Sequence, residues 1–140
     1  HTPFHGNIPD DRLYDTRYDM WVQQEGDTIT IGITSFGVFL AGEIIAFTGK
    51  PKGAEIDYGR GLGTVESAKT VLAVHSPLAC KLQMVNEALE ERPAPINQRP
   101  YESWLVRVNS RSDLADQAHL VDAAAYRAHV LSVEPEASFE

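Results

Sequence analysis

Residues 28–33, TITIGI, place isoleucine at every second position with threonine or glycine between. Side chains on a β-strand alternate between faces, so this spacing turns one face to a core and the other to solvent. A helix would scatter the same isoleucines around its circumference. Trp21 to Gln24 reads as a partner strand, with Glu25-Gly26-Asp27 as the turn between.

The pattern recurs along the chain. Glu43 to Thr48, Leu62 to Ser67, Val71 to His75, Lys81 to Val85 and Trp104 to Val108 read as further strands. Gly49-Lys50-Pro51-Lys52-Gly53 is a turn by its Gly/Pro content. SFGVFLAGE, from Ser35 to Glu43, is less regular and leaves room for a helical turn, and Glu90 to Pro100 reads as a Pro-rich polar loop. After Val108 the pattern changes. Ser112 is placed to cap one helix with Asp113 in its first turn, and Asp122 to cap a second, AAAYRAHVL, ending near Leu131. Short strands with Gly-rich turns followed by helices predict a mainly β fold, a sandwich or barrel with terminal helices.

A chain of 140 residues with 43% hydrophobic content can bury a real core as one domain. Residues 1–7 read as a tag remnant or disordered end, 8–131 as the domain, and 132–140, ending VEPEASFE, as a frayed tail. A net charge of −8 argues against nucleic acid and against an anionic membrane surface, and suits partners with positive docking surfaces. Acidity is also ordinary for a soluble protein. No run reaches the ~20 apolar residues of a membrane-spanning helix, and no segment reads as a signal peptide, so the cytoplasm is the expected compartment. One cysteine, Cys80, excludes an internal disulfide framework. The five histidines, His1, His5, His75, His119 and His129, show no metal-ligand spacing. GRGLG, residues 59–63, lacks the dinucleotide-binding spacing and leads into β-branched residues instead of a helix, so its glycines are assigned to turns and bulges.

Lys69 sits between two strands in GTVESAKTVLAVHSPL, residues 63–78. One reading is a solvated edge-strand charge. Another is a modification site, since a hairpin tip presents its amine far from the core. Glu66-Ser67-Ala68-Lys69 resembles the lipoylation motif of the H-protein family, the lipoyl carriers of the glycine cleavage system. Further segments are similar in order: GDTITIGIT, Gly42-Glu43, Val85-Asn86-Glu87-Ala88-Leu89, Ile96-Asn97, Pro100-Tyr101 with Trp104, and Asp122 to Tyr126. Together they cover about residues 8–131. The resemblance implies a lipoyl/biotinyl-type β-sandwich (a barrel-sandwich hybrid) and covalent lipoic acid on Lys69. It also implies Glu66 and Ser67 as recognition residues for a lipoate-attaching enzyme, and no catalytic residue or metal. Biotin carriers typically set their lysine between methionines, whereas Ala68 and Thr70 stand here, and acyl carriers are helical and use serine.

In glycine-cleavage members, by the same resemblance, the loaded arm rests in a cleft near two acidic side chains. Those positions are Met20 and Ala73 here. Asp19 neighbours Met20, yet strand alternation would turn it to the opposite face. With Phe36, Val71 and Leu72 added, the arm surroundings of Met20, Phe36, Ala73 and His75 read as apolar. That favours a sulfur-bound cargo, as in the H-like lipoate-binding proteins that serve a heterodisulfide-reductase-like complex in sulfur oxidation. The alternatives are a glycine cleavage H protein shuttling an aminomethyl group, or an unmodified interaction domain. Dihydrolipoamide dehydrogenase is a further expected partner, and a monomer is expected. Cys80 reads as a buried inert thiol, with exchange against the lipoyl sulfurs as the alternative.

Overall fold

The hairpin read from residues 21–33 is the spine of the molecule. In this computed structural model, which describes residues 2–140, it is formed by β3 (Met20–Glu25) and β4 (Thr28–Ile33). Ile29, Ile31 and Ile33 face inward as the alternation requires, and Glu25 pairs with Thr28 across the Gly26-Asp27 turn. Gly32 is opposite Trp21, and a Cβ there would stand 2.4 Å from the indole. The glycine that stands where threonine would continue the alternate face is therefore the seat of the Trp21 ring.

Ahead of the hairpin lie β1 (His5–Gly6) and β2 (Leu13–Asp15), and after it come α1 (Ser35–Ala41) and β5 (Ile44–Gly49). Next follow β6 (Glu55–Ile56), β7 (Gly61–Ser67), β8 (Val71–His75) and β9 (Cys80–Val85). The chain closes with α2 (Glu87–Glu91), α3 (Pro95–Gln98), β10 (Val106–Asn109), β11 (Leu120–Val121), α4 (Ala123–Val133) and β12 (Ser138–Phe139). A seven-stranded sheet runs β11-β2-β3-β4-β10-β9-β6, and a three-stranded sheet runs β5-β7-β8. The register slips between Gly61 and Gly63, so the glycine-rich stretch does serve a bulge.

Two cores result. Between the sheets lies a mostly aliphatic cluster that includes Val22, Ile31, Ile44, Leu62, Leu82, Val106 and Val108. The second is aromatic: Phe4, Tyr14, Trp21, Phe36 and Tyr126 pack with Ile8, Ala123 and Val130 behind α1 and under α4. The chain thus forms the expected mainly β sandwich with a C-terminal helix.

Several local expectations are corrected. SFGVFLA is a complete helix because Thr34 caps it, its hydroxyl accepting from the Gly37 amide at 2.9 Å. The Pro-rich stretch holds the end of α2 and all of α3, in which Pro95 stands at the helix start, where its missing N–H costs nothing. Ser112 starts no helix. Only a 3₁₀ turn, Leu114–Asp116, forms there, and of its residues only Leu114 is buried, too little apolar face to hold a longer helix. Asp122 caps α4 as expected, accepting from the Ala125 amide at 2.9 Å.

The ends also differ from a disordered start and a frayed tail. β1 and β12 pair in parallel, and Phe4, 3% exposed, packs edge-on against Phe36 at 5.2 Å and against Phe139 at 6.4 Å. Burial of the two phenylalanine rings offsets the cost of ordering both ends. His1, part of the same expectation, lies outside the described residues. Among the described residues no helix is long and apolar enough to cross a membrane.

Candidate functional site

β7 and β8 form the hairpin that carries Lys69, with Glu66 paired to Val71 below the tip. The turn is tied by Ser67: its amide donates to the Thr70 carbonyl at 2.8 Å. Its hydroxyl accepts from the Lys69 and Thr70 amides at 3.2 and 3.3 Å. Ser67 is buried, so its role is to shape the turn, whereas Glu66 is exposed. The Ala68 amide donates to the Glu43 carbonyl at 3.2 Å, fastening the tip to the start of β5.

Asn97 holds that start. Its side-chain oxygen accepts from the Ile44 amide at 2.8 Å and its NH₂ donates to the Ile44 carbonyl at 2.9 Å. Ile44 in turn pairs with Ser67. The residue lies in the stretch read as a loop, and only tertiary contact reveals its bracing role.

Lys69 is exposed, and among the described residues its ammonium has no ion-pair partner. Its stem lies across Gly42, where an added Cβ would be 3.4 Å from Lys69 Cε. Gly42 has φ +85, a left-handed backbone that favours glycine at this helix end. The lysine therefore emerges at the end of α1, whose Leu40 and Ala41 form one side of a cleft of about 280 Å³.

The opposite side of that cleft is the edge of β8, Leu72 to His75, and its floor includes Met20, Ile33 and Val65. Met20, Ala73 and His75 of the expected arm surroundings are brought together here. Phe36 is not. It is 1% exposed and points to the aromatic core, because Gly37, Leu40 and Ala41 occupy the cleft side of α1. His75 stacks on Tyr18 at 4.6 Å, and its Nδ1 lies 2.8 Å from the Gly59 carbonyl, so Nδ1–H donates there.

Asp19 also lines the cleft, against the expectation from strand alternation. β3 begins one residue later, and Asp19 has φ +57, a left-handed turn conformation that aspartate tolerates. Alternation holds only within a strand. Oδ1 of Asp19 accepts from the Tyr126 hydroxyl of α4 at 2.8 Å. Burial raises the Asp19 carboxyl above its ordinary 3.8; the Tyr126 hydrogen bond and His129 oppose the rise, and Asp15 adds to it. Neither Asp19's orientation nor Tyr126 as its partner was legible locally, since the two are 107 residues apart.

A larger hollow, about 650 Å³, lies below the paired chain ends and is lined by Arg12, Ser35 and Tyr101 among others. Both of its arginines have partners: Arg12 donates to Asp11 and to the Tyr101 carbonyl, and Arg99 pairs with Glu102 at 3.8 Å. Cys80 lies in β9 beside a different hollow, is 8% exposed, and burial pushes its thiol up, away from the reactive thiolate. Among the described residues no group of three or more His, Cys, Asp or Glu converges on a metal position.

The site thus combines an exposed lysine at a hairpin tip with a neighbouring cleft on a β-sandwich. The family model described as "Glycine cleavage H-protein" matches residues 12–132. The chain belongs to the glycine cleavage H-protein family. Members are carrier proteins, not enzymes, and hold a lipoyl group covalently on a lysine. The chain is 36% identical over 122 residues to the glycine cleavage system H protein of Thermus thermophilus, covering 86% of this chain and 94% of that one. It is also 36% identical over 121 residues to glycine cleavage system H protein 5 of Aquifex aeolicus, covering 83% and 82%. The crystal structure of an H protein from Mycobacterium marinum superposes with a TM-score of 0.74 at 30% identity, covering 86% of this chain and 97% of that one. The fold is thus the lipoyl-type sandwich of the family.

The residues present fit such a group. Among the described residues the Lys69 amine has no ion-pair partner, Gly42 leaves room for its stem, and the neighbouring cleft is lined by Leu40, Leu72 and Val74, which suit an apolar chain. 

Proposed function

We propose that this chain is the H protein of a glycine cleavage system, with Lys69 as the lipoyl attachment point and the Leu40–Leu72–Asp19 cleft as the resting place of the arm. The observation that carries this reading is the placement of the Lys69 stem against Gly42, the residue that follows the Leu40–Ala41 side of a cleft whose lining includes Asp19. When bound, a lipoyl group supplies a disulfide that opens to two thiols and can carry an aminomethyl group between partner enzymes. The chain's own work is to present, shield and orient. Ser67 and Asn97 keep the tip in one geometry for the attaching enzyme, and Glu66 is the exposed residue beside it for recognition. The apolar walls exclude water from the cargo, and Asp19 offers it one oxygen acceptor. Tethering converts delivery between partners, among them a lipoate-attaching enzyme and a dihydrolipoamide dehydrogenase, into near-intramolecular encounters.

A sulfur-bound cargo handled by a heterodisulfide-reductase-like complex is the second reading. Its support is that Met20 and Ala73 contribute no carboxylate to the cleft. Asp19 weakens that support, and the relatives above are named for glycine cleavage.

Co-expression with a lipoate-attaching enzyme, followed by intact-mass spectrometry, should show one lipoyl addition that disappears in Lys69→Ala. An addition that persists in the variant overturns the site. The lipoylated protein should then support glycine-dependent CO₂ exchange with a glycine decarboxylase. Absence of exchange, with turnover by a heterodisulfide-reductase-like complex, would favour the second reading.

A further inference from the structure

We propose that the outer face of the β5-β7-β8 sheet is the docking surface for the lipoate-attaching enzyme, with Ile45 and Val71 as its apolar centre and Glu43 beside Glu66 as its charged border. The partner that fits is an enzyme whose own surface there is apolar and rimmed by lysine or arginine. This rests on the reading of Lys69 as the attachment point, and adds the side from which the hairpin is approached.

The strand register assembles this face. Ala46, Glu66 and Val71 form one row across the three strands, and Thr48, Thr64 and Ala73 form the next row on the same side. The row between them, Phe47, Val65 and Leu72, turns the other way, and Phe47 and Val65 are buried in the aliphatic core. The slip between Ile44 and Ala46 leaves Ile45 as an extra, unpaired residue beside the first row. Ile45 is 51% exposed and Val71 63%. A sheet edge in contact with water is ordinarily guarded by lysine or proline. β8 is such an edge, yet its sequence VLAVH has neither, and of the residues in the two outward rows Glu66 alone is charged. Apolar side chains left uncovered beside the lysine are the contact surface for a partner that must reach its amine.

Ile45, Glu66 and Val71 do not line the cleft. The surface is therefore distinct from the resting place of the arm. The charge of its border decides the partner. Glu43 and Glu66 are exposed and, among the described residues, have no ion-pair partner. Glu43 is held at the tip, because its carbonyl accepts from the Ala68 amide. α2 lies along β5, with Glu90 accepting from the Gly49 amide at 3.0 Å, and its exposed Glu87 and Glu91 extend the acidic border. Such a border attracts a basic surface during encounter and repels an acidic one. Ile45 and Val71 then supply the short-range contact that holds the encounter in register with Lys69.

The test is steady-state lipoylation by a lipoate-attaching enzyme, read by intact mass over a range of carrier concentrations. The Ile45→Ser/Val71→Ser double variant should raise KM about tenfold with kcat within about twofold, because docking contact is lost and the amine is untouched. Met84→Ser, at a half-exposed apolar position on the large sheet, should leave both constants at their wild-type values. Glu43→Gln should raise KM about threefold at low salt and lose that difference at ~0.5 M salt, where exposed charges are largely screened. In the wild-type protein, the Ile45, Thr64 and Val71 amide shifts should move when the enzyme is added, a readout that needs no variant to fold. A double variant with wild-type KM, or amides that stay still, overturns the docking surface while Lys69 remains the modified residue. A Glu43→Gln effect that ignores salt overturns the basic rim of the partner. A dimer in sedimentation that the double variant abolishes, with KM unmoved, gives the face to a second copy and equally overturns the proposal. Absence of modification at Lys69 in the wild type overturns the attachment reading itself.

Discussion

The two cores of this molecule do different work. The aliphatic core between the sheets supports the hairpin of Lys69, and its members alternate along strands as TITIGI does. The aromatic core stands behind the cleft, and its members come from the residues flanking β1 and from β2, β3, α1 and α4. One is built by local periodicity, the other by convergence of distant rings. A carrier needs both: a rigid mount for the lysine and a backed wall where the loaded arm can rest.

The comparison can be broken by truncating each core in turn. Phe36→Ala should cost about 3–5 kcal/mol and Leu82→Ala about 2–5 kcal/mol in denaturant unfolding. The discriminating measurement is native hydrogen exchange. Phe36→Ala should deprotect α1 while the β7–β8 hairpin stays protected, and Leu82→Ala should do the reverse. Equal deprotection of both regions would show one cooperative unit.

A smaller break acts at the junction. Asn97→Ala removes both hydrogen bonds to Ile44 and should cost about 1–3 kcal/mol, with slower lipoylation but an unchanged cleft. Stability loss without slower lipoylation would separate Asn97 from the hairpin. Gly42→Ala should cost about 1–2 kcal/mol from its left-handed backbone, and the new methyl would touch the Lys69 stem. Full stability in that variant would contradict the backbone assignment.

The subtlest test is pH. Asp19 is held above its ordinary 3.8 in the folded chain, so the folded state holds its proton more tightly than the unfolded state. The Asp19 contribution to stability is fully present below that value and is lost as pH rises through the folded value. The stability of wild type relative to Asp19→Asn should therefore fall across that window and then level. A rise would mean the carboxylate is net stabilised by Tyr126 and His129.

Most of the sandwich was legible because strand and cap signals are local: residues 28–33, 71–75 and the Asp122 cap are found where their patterns place them. The lysine motif was legible for the same reason, since four adjacent residues carry it. The short helices at 87–91 and 95–98 were obscured by proline and charge, whose local meaning depends on what packs above them. Phe36 reads locally as a cleft residue and lies behind the cleft, because seven residues of irregular periodicity do not say which helix face turns inward. Asp19 reads locally as facing away from the cleft, but strand alternation ends at Met20 and does not reach it. By itself, then, the chain determined its class, its hairpins and its candidate lysine, all set by neighbours within a few residues. Only the tertiary structure decided what the arm would meet. The Asp19–Tyr126 pair spans 107 residues, and its orientation depends on a turn conformation and a buried hydroxyl that no short stretch encodes.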